Sequence, residues 1–91
     1  PIDKAVDISH LCQCRDGDES RLTYYSDHSG PGVLFSIKHK NGGGAEIFFY
    51  IGGFQSNDII LQAEFMGIDP KILYEVACVN VPNNTDFINP K

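Results

Sequence analysis

The chain reads as a small α+β domain: an antiparallel sheet of three or four strands, built on a central hairpin over 33–51, packed against C-terminal helices. Three observations predict it. Residues 32–53, GVLFSIKHKNGGGAEIFFYIGG, carry two apolar arms alternating at period two around a Gly-Gly-Gly turn. Residues 58–66, DIILQAEFM, are apolar at helical spacing and run into Gly67, which suits a helix-terminating left-handed residue. Asp69-Pro70 then offers a capping residue followed by proline at the first helical position.

In the hairpin, Val33, Phe35 and Ile37 share a face, as do Ala45, Ile47, Phe49 and Ile51. Opposed residues of an antiparallel pair project to the same side, so the two numbers of each pair must sum to an even value. Two registers satisfy this: Phe35 opposite Phe49 with Lys38 opposite Glu46, or Ile37 opposite Phe49 with Lys40 opposite Glu46. Both set a lysine against the hairpin's one acid. Leu34, Phe48 and Tyr50 make the second face partly apolar, which calls for a cover of helices or of a second subunit. The glycine turn opens onto a strand and not onto a helix N-terminus, so it reads as a turn and not as a phosphate loop.

Taken in order, residues 2–14 fit a helix capped by Asp3, with Ala5, Ile8, Leu11 and Cys12 as its buried stripe. A strand with Ile2, Val6, Ile8, Cys12 and Cys14 on one face is the alternative. Residues 15–20, RDGDES, read as a solvated acidic turn that lacks the further oxygen ligands of a calcium loop. Residues 21–26 have strand propensity, and 27–32 form a loop rich in glycine and proline. After the Gly52-Gly53 break, Ser56 or Asn57 caps the helix, whose apolar residues surround most of its circumference and predict burial on two sides. Residues 71–81 fit a second helix with Ile72, Leu73, Val76 and Ala77 inward, ahead of a valine-rich strand. Residues 82–91 form a coil tail, and the whole of 1–91 reads as a single domain.

Ninety-one residues with a net charge of −5 argue against general nucleic-acid binding, whose affinity comes largely from cationic contacts to phosphate. Only the hairpin is slightly basic, through Lys38, His39 and Lys40. No apolar run approaches the roughly 20 residues that a membrane helix needs, and no signal or transit segment is read. A chain that begins with Pro1 is expected to have lost a methionine, leader or tag. An odd count of three cysteines is no disulfide framework and points to the cytoplasm.

Candidate chemistry is sparse. Ala63, Gly67, Ile68, Leu73 and Val76 match the packing spacing of a helix-turn-helix, but Asp69 and Glu75 on the second helix would repel phosphate. His10, Cys12 and Cys14 would share a strand face, with Cys78 as a fourth zinc ligand. Their gaps are shorter than structural zinc sites use, so small core cysteines are the better account. His28, His39 and the secondary amine of Pro1 are the candidate acid–base groups, with Tyr24 and Glu46 as conceivable partners of the histidines. No cofactor is expected. The function expected is a small acidic binding or regulatory module acting through protein–protein contact, homodimeric, with Leu34, Phe48, Tyr50 and Phe65 at its interface. A metal-independent enzyme using His39 or Pro1 is the alternative, and a helix-turn-helix nucleic-acid binder comes third. A disulfide between Cys12 and Cys14 is strained in any regular element, so titration of the denatured, unreduced protein should find three reactive thiols; finding one would reverse the inference to the cytoplasm.

Overall fold

A computed structural model describes residues 2–12, 15–25 and 32–82 of the chain. Four strands run as an antiparallel meander in the order β1 (Ile2–Asp7), β2 (Glu19–Tyr25), β3 (Gly32–Lys38), β4 (Gly44–Tyr50). A 3-10 turn at Ile51–Gly53 leads into α1 (Asn57–Phe65), and α2 (Pro70–Val79) follows after four residues. The fold is α+β, with both helices on one side of an open sheet. The expected loop after β2 and most of the expected tail lie outside the described residues.

The parity of the hairpin decides which side is covered. Leu22 and Tyr24 of β2, Val33, Phe35 and Ile37 of β3, and Ile47 and Phe49 of β4 all project inward and are buried. Ala63 from α1, Leu73 and Ala77 from α2, and Phe54 and Ile68 from the connections meet them in one apolar cluster. The helices are fixed to the sheet by a polar contact too: the buried Tyr24 hydroxyl donates to the Ala77 carbonyl. Burial pushes the Tyr24 phenol far above its usual range, so it stays protonated as that donor requires.

The register differs from both expected ones while keeping their even parity. Val33 faces Phe49, Phe35 faces Ile47 and Ser36 faces Glu46, so no lysine opposes the acid. The reason lies at the tip. Residues 39–43 form the loop, with Gly42 and Gly43 at φ of 97° and 80°, and Lys40 is engaged elsewhere, as described below.

The expected helix at 2–14 is a strand followed by a 3-10 turn at Ser9–Leu11. β1 pairs with β2 through Val6 opposite Leu22 and Asp7 opposite Arg21, which satisfies backbone groups that β2 would otherwise expose. Ile8 is buried, while Leu11 and Cys12 pack half-buried against the core. The chain turns there because the Asp7 carboxylate accepts from the Ser9 N–H at 2.8 Å. Ser20, 1% exposed, is satisfied within the same corner: its N–H donates to Ser9 Oγ, its hydroxyl donates to the Ser36 carbonyl, and it accepts from the Cys12 thiol.

The helix pair forms as its punctuation dictates. Gly67 has φ +90°, its N–H donates to the Glu64 carbonyl at 3.0 Å, and the Ile68 N–H donates to Ala63 at 3.2 Å. That is the double bond pattern of a Schellman end, with Ile68 folded back into the core. Asp69 caps α2 by accepting from the Lys71 N–H at 2.9 Å. Ser56 sits at the cap of α1 but makes no side-chain bond there. Burial of α1 on two sides does not occur: Ala63 is buried, whereas Leu61 and Phe65 are 62% and 94% exposed. Ile72 of α2 also faces outward, while Leu73 and Ala77 are buried and Val76 packs half-buried against the core. A side chain at Gly67 would be forced into the left-handed region at a cost of about 1–2 kcal/mol. Gly67→Val is therefore expected to lower the melting temperature by several degrees, and an unchanged melt would mean that the helix end does not depend on that turn.

Candidate functional site

Two surfaces concentrate the chain's unusual features. The first is the outer face of the sheet. Cross-strand pairing sets Thr23, Leu34 and Phe48 in one row and Tyr25, Gly32 and Tyr50 in the next. The Phe48 ring lies edge-on to Tyr50 at 5.2 Å between centroids and tilts toward Tyr25 at 6.2 Å. Phe48 and Tyr50 remain 36% and 41% exposed. Toward the hairpin tip the face turns polar: Arg21, Ser36 and Glu46 form the third row, Glu19 and Lys38 the fourth.

The second surface is a cavity of about 500 Å³ at the hairpin tip, where the β1–β2 turn, the β3–β4 loop and the C-terminal end of α1 converge. The ladder explains the meeting. Glu19 pairs with Lys38, so Asp18 and His39 are the next residues outward on the two strands. The Asp18 side chain is 7% exposed, and its Oδ2 lies 2.9 Å from His39 Nδ1. A carboxylate can only accept, so Nδ1 carries the proton and Nε2 is the edge that His39 presents elsewhere. Asp18 Oδ1 accepts from the Lys40 N–H at 3.0 Å, and Oδ2 accepts a longer bond of 3.4 Å from the Arg15 N–H. The Lys40 N–H first, and the His39 ring after it, hold the Asp18 carboxyl below its ordinary value.

Gly17 completes this staple. Its φ is +91°, and a Cβ there would come within 2.5 Å of Lys40 Cδ. The aliphatic stem of Lys40 thus lies across the bare glycine. Arg15, Asp16, Gly17 and Glu19 of the acidic turn are exposed, as expected of RDGDES, while its second aspartate is half-buried and ties two loops together. His39, Asp18, Arg15 and Lys40 line one side of the cavity, and Phe65, Met66 and Gly67 the other.

The remaining candidates are dispersed. Pro1, His28 and Cys14 lie outside the described residues. Glu46 stands on the outer face opposite Ser36, and Tyr24 is spent on Ala77, so neither meets His39. The strand face proposed for His10 and Cys12 does not exist, because β1 ends at Asp7 and His10 sits in the 3-10 turn. Cys12 donates to Ser20 at 3.1 Å, Cys78 is exposed on α2, and no group of three metal-ligating side chains occurs among the described residues. Phe65 does not join Leu34, Phe48 and Tyr50: it belongs to the helix layer at the hairpin tip, while Tyr50 ends β4 on the other face. Asp18 was missed because its partner lies 21 residues away. The strand register was the signal that would have found it.

Comparison with protein families, with curated proteins and with solved structures found no match.

The staple has a signed dependence on pH. A carboxyl whose folded value is depressed stabilises the fold fully above its unfolded value, and that contribution is lost as pH falls through the folded value. Asp18 should hold the Lys40 amide through the ordinary aspartate range and release it only as pH falls through its depressed folded value. An NMR titration of the Lys40 N–H is expected to show a midpoint beneath the ordinary aspartate value of 3.8. A midpoint at or above it would count against the tie.

Proposed function

We propose that the chain is a small non-enzymatic binding module that works through protein–protein contact, with a second copy of itself as its first partner. The observation that carries this reading is the outer face of the sheet, where Leu34, Phe48 and Tyr50 cluster and two aromatic rings stay more than a third exposed. Apolar surface of this kind is worth about 25 cal/mol per Å² when removed from water. A polar margin of both signs borders it, through Arg21, Lys38, Glu19 and Glu46, which is the composition of an interface rim. A two-fold axis lets such a face meet itself with apolar against apolar, and closed two-fold pairs are the commonest assemblies.

A metal-independent acid–base enzyme is the second reading, supported by a histidine oriented by a carboxylate beside a cavity. We place it second because the described lining holds no hydroxyl or thiol nucleophile. The binding reading is tested by sedimentation at micromolar concentration. Wild type is expected as a dimer, and Phe48→Glu should weaken it by at least about 2 kcal/mol, as an aromatic anchor at the centre of an interface does. A monomeric wild type would remove the reading.

A further inference from the structure

We propose that the cavity at the hairpin tip binds a phosphate monoester carrying a planar ring, a ligand of the size and chemistry of a nucleoside 5′-monophosphate. Four observations converge on it. The protein has 12 acids against 7 Lys and Arg, yet two of those cations, Arg15 and Lys40, line one cavity. Among the described residues neither has a carboxylate within ion-pair distance, and the one carboxylate–base contact there joins Asp18 to His39. Both oxygens of that carboxylate already accept hydrogen bonds from the loops. Asp16, at the exposed rim, is the other acid of the lining.

The loops that carry the cations are held in place. Lys40 rests its stem on Gly17, and Arg15 opens the turn that Asp18 closes. A cation whose stem is already packed, as that of Lys40 is, loses less side-chain freedom on binding. His39 adds the Nε2 edge as a third polar group, since Nδ1 is committed to Asp18. The glycine loop itself is not the cradle here; the flanking side chains are. Guanidinium and ammonium together, set on adjoining loops, are the donors that a phosphate dianion selects.

The opposite wall supplies the ring. Phe65 is 94% exposed, although a phenylalanine gains nothing from water, and Met66 lies beside it. Aromatic faces next to phosphate-binding cations are what stacked bases use. The carbonyls that end α1 there do not oppose an anion strongly, because Gly67 and Ile68 donate to the carbonyls of Glu64 and Ala63. The volume of about 500 Å³ falls within the range that small-ligand sites occupy.

The test is an NMR titration of the isotope-labelled chain with a nucleoside 5′-monophosphate, with phenyl phosphate, with inorganic phosphate and with the unphosphorylated nucleoside. The two ring-bearing phosphates should shift the amides of residues 15–18, 39–42 and 65–67 saturably, and the bare nucleoside should bind at least tenfold more weakly. Arg15→Gln and Lys40→Met, which preserves the stem on Gly17, are each expected to weaken binding roughly tenfold, as loss of a charge-assisted hydrogen bond does. Phe65→Ala should cost the ring-bearing ligands about tenfold and leave inorganic phosphate unchanged. Absence of saturable shifts in the wild type, or shifts elsewhere, overturns the proposal, as does indifference to Phe65→Ala. Should a variant unfold, the wild-type map and the nucleoside comparison still decide. The same titration on Phe48→Glu keeps the outcome separate from dimerisation.

Discussion

Two helices of nine and ten residues can cover one face of a four-stranded sheet, and the rest of the structure follows from which face they take. Even parity across the hairpin gathers Val33, Phe35, Ile37, Ile47 and Phe49 on one side, and β2 adds Leu22 and Tyr24. That layer is apolar enough to bury Ala63, Leu73 and Ala77 against it. A slip by one residue would turn Phe48, Tyr50 and Glu46 inward and send the core outward. The Tyr24–Ala77 bond adds direction to this burial, since it satisfies a phenol that the apolar layer would otherwise strand.

The second consequence of the ladder is polar. Because Glu19 pairs with Lys38, the residues that continue each strand beyond the sheet meet as Asp18 and His39. A carboxylate at that point collects donors from its own turn and from the neighbouring loop, and so makes one unit of two connections. Gly17 serves both ends of the device: its positive φ shapes the turn and its missing side chain admits Lys40. The two loops at this end of the molecule are thus fixed to each other by Asp18.

Legibility in the sequence tracked the range of the interactions. The hairpin faces, the helix end at Gly67 and the cap at Asp69 are governed by neighbours within a few residues, and the residues alone predict them. Residues 2–14 misled because two regimes share the segment. A bulge between Ile2 and Lys4 breaks the strand alternation, and Ile8, Leu11 and Cys12 belong to an irregular corner with no period at all. Their combined spacing imitates a helical stripe. Parity leaves every slip of two residues open, so it could not choose the hairpin register; the loop closes over residues 39–43, where the Lys40 amide donates to Asp18. The same contact hid the site. RDGDES reads as a solvated turn, as most of its residues are, and the tie made by Asp18 shows only once the non-local β2–β3 pairing is known. Exposure of Leu61 and Phe65 was equally invisible, because an apolar helix circumference does not say how many layers are available to cover it.

The two surfaces make compatible demands on the molecule. The aromatic cluster lies on the side of the sheet away from the helices, and Tyr50 stands at the end of β4 farthest from the hairpin tip. The cavity is closed by α1, on the helix side, at the tip. A second copy packed over Phe48 and Tyr50 would therefore leave Arg15, Lys40 and Phe65 accessible. Between them run the mixed charges of Arg21, Glu46, Glu19 and Lys38, which keep the apolar patch from spreading to the tip. Sheet and staple are coupled through β2 and β3: Asp18 precedes the first residue of β2, and His39 follows the last residue of β3. Both strands are bonded on both edges and buried, β2 through Leu22 and Tyr24 and β3 through Val33, Phe35 and Ile37, so the staple is anchored in the most ordered part of the sheet.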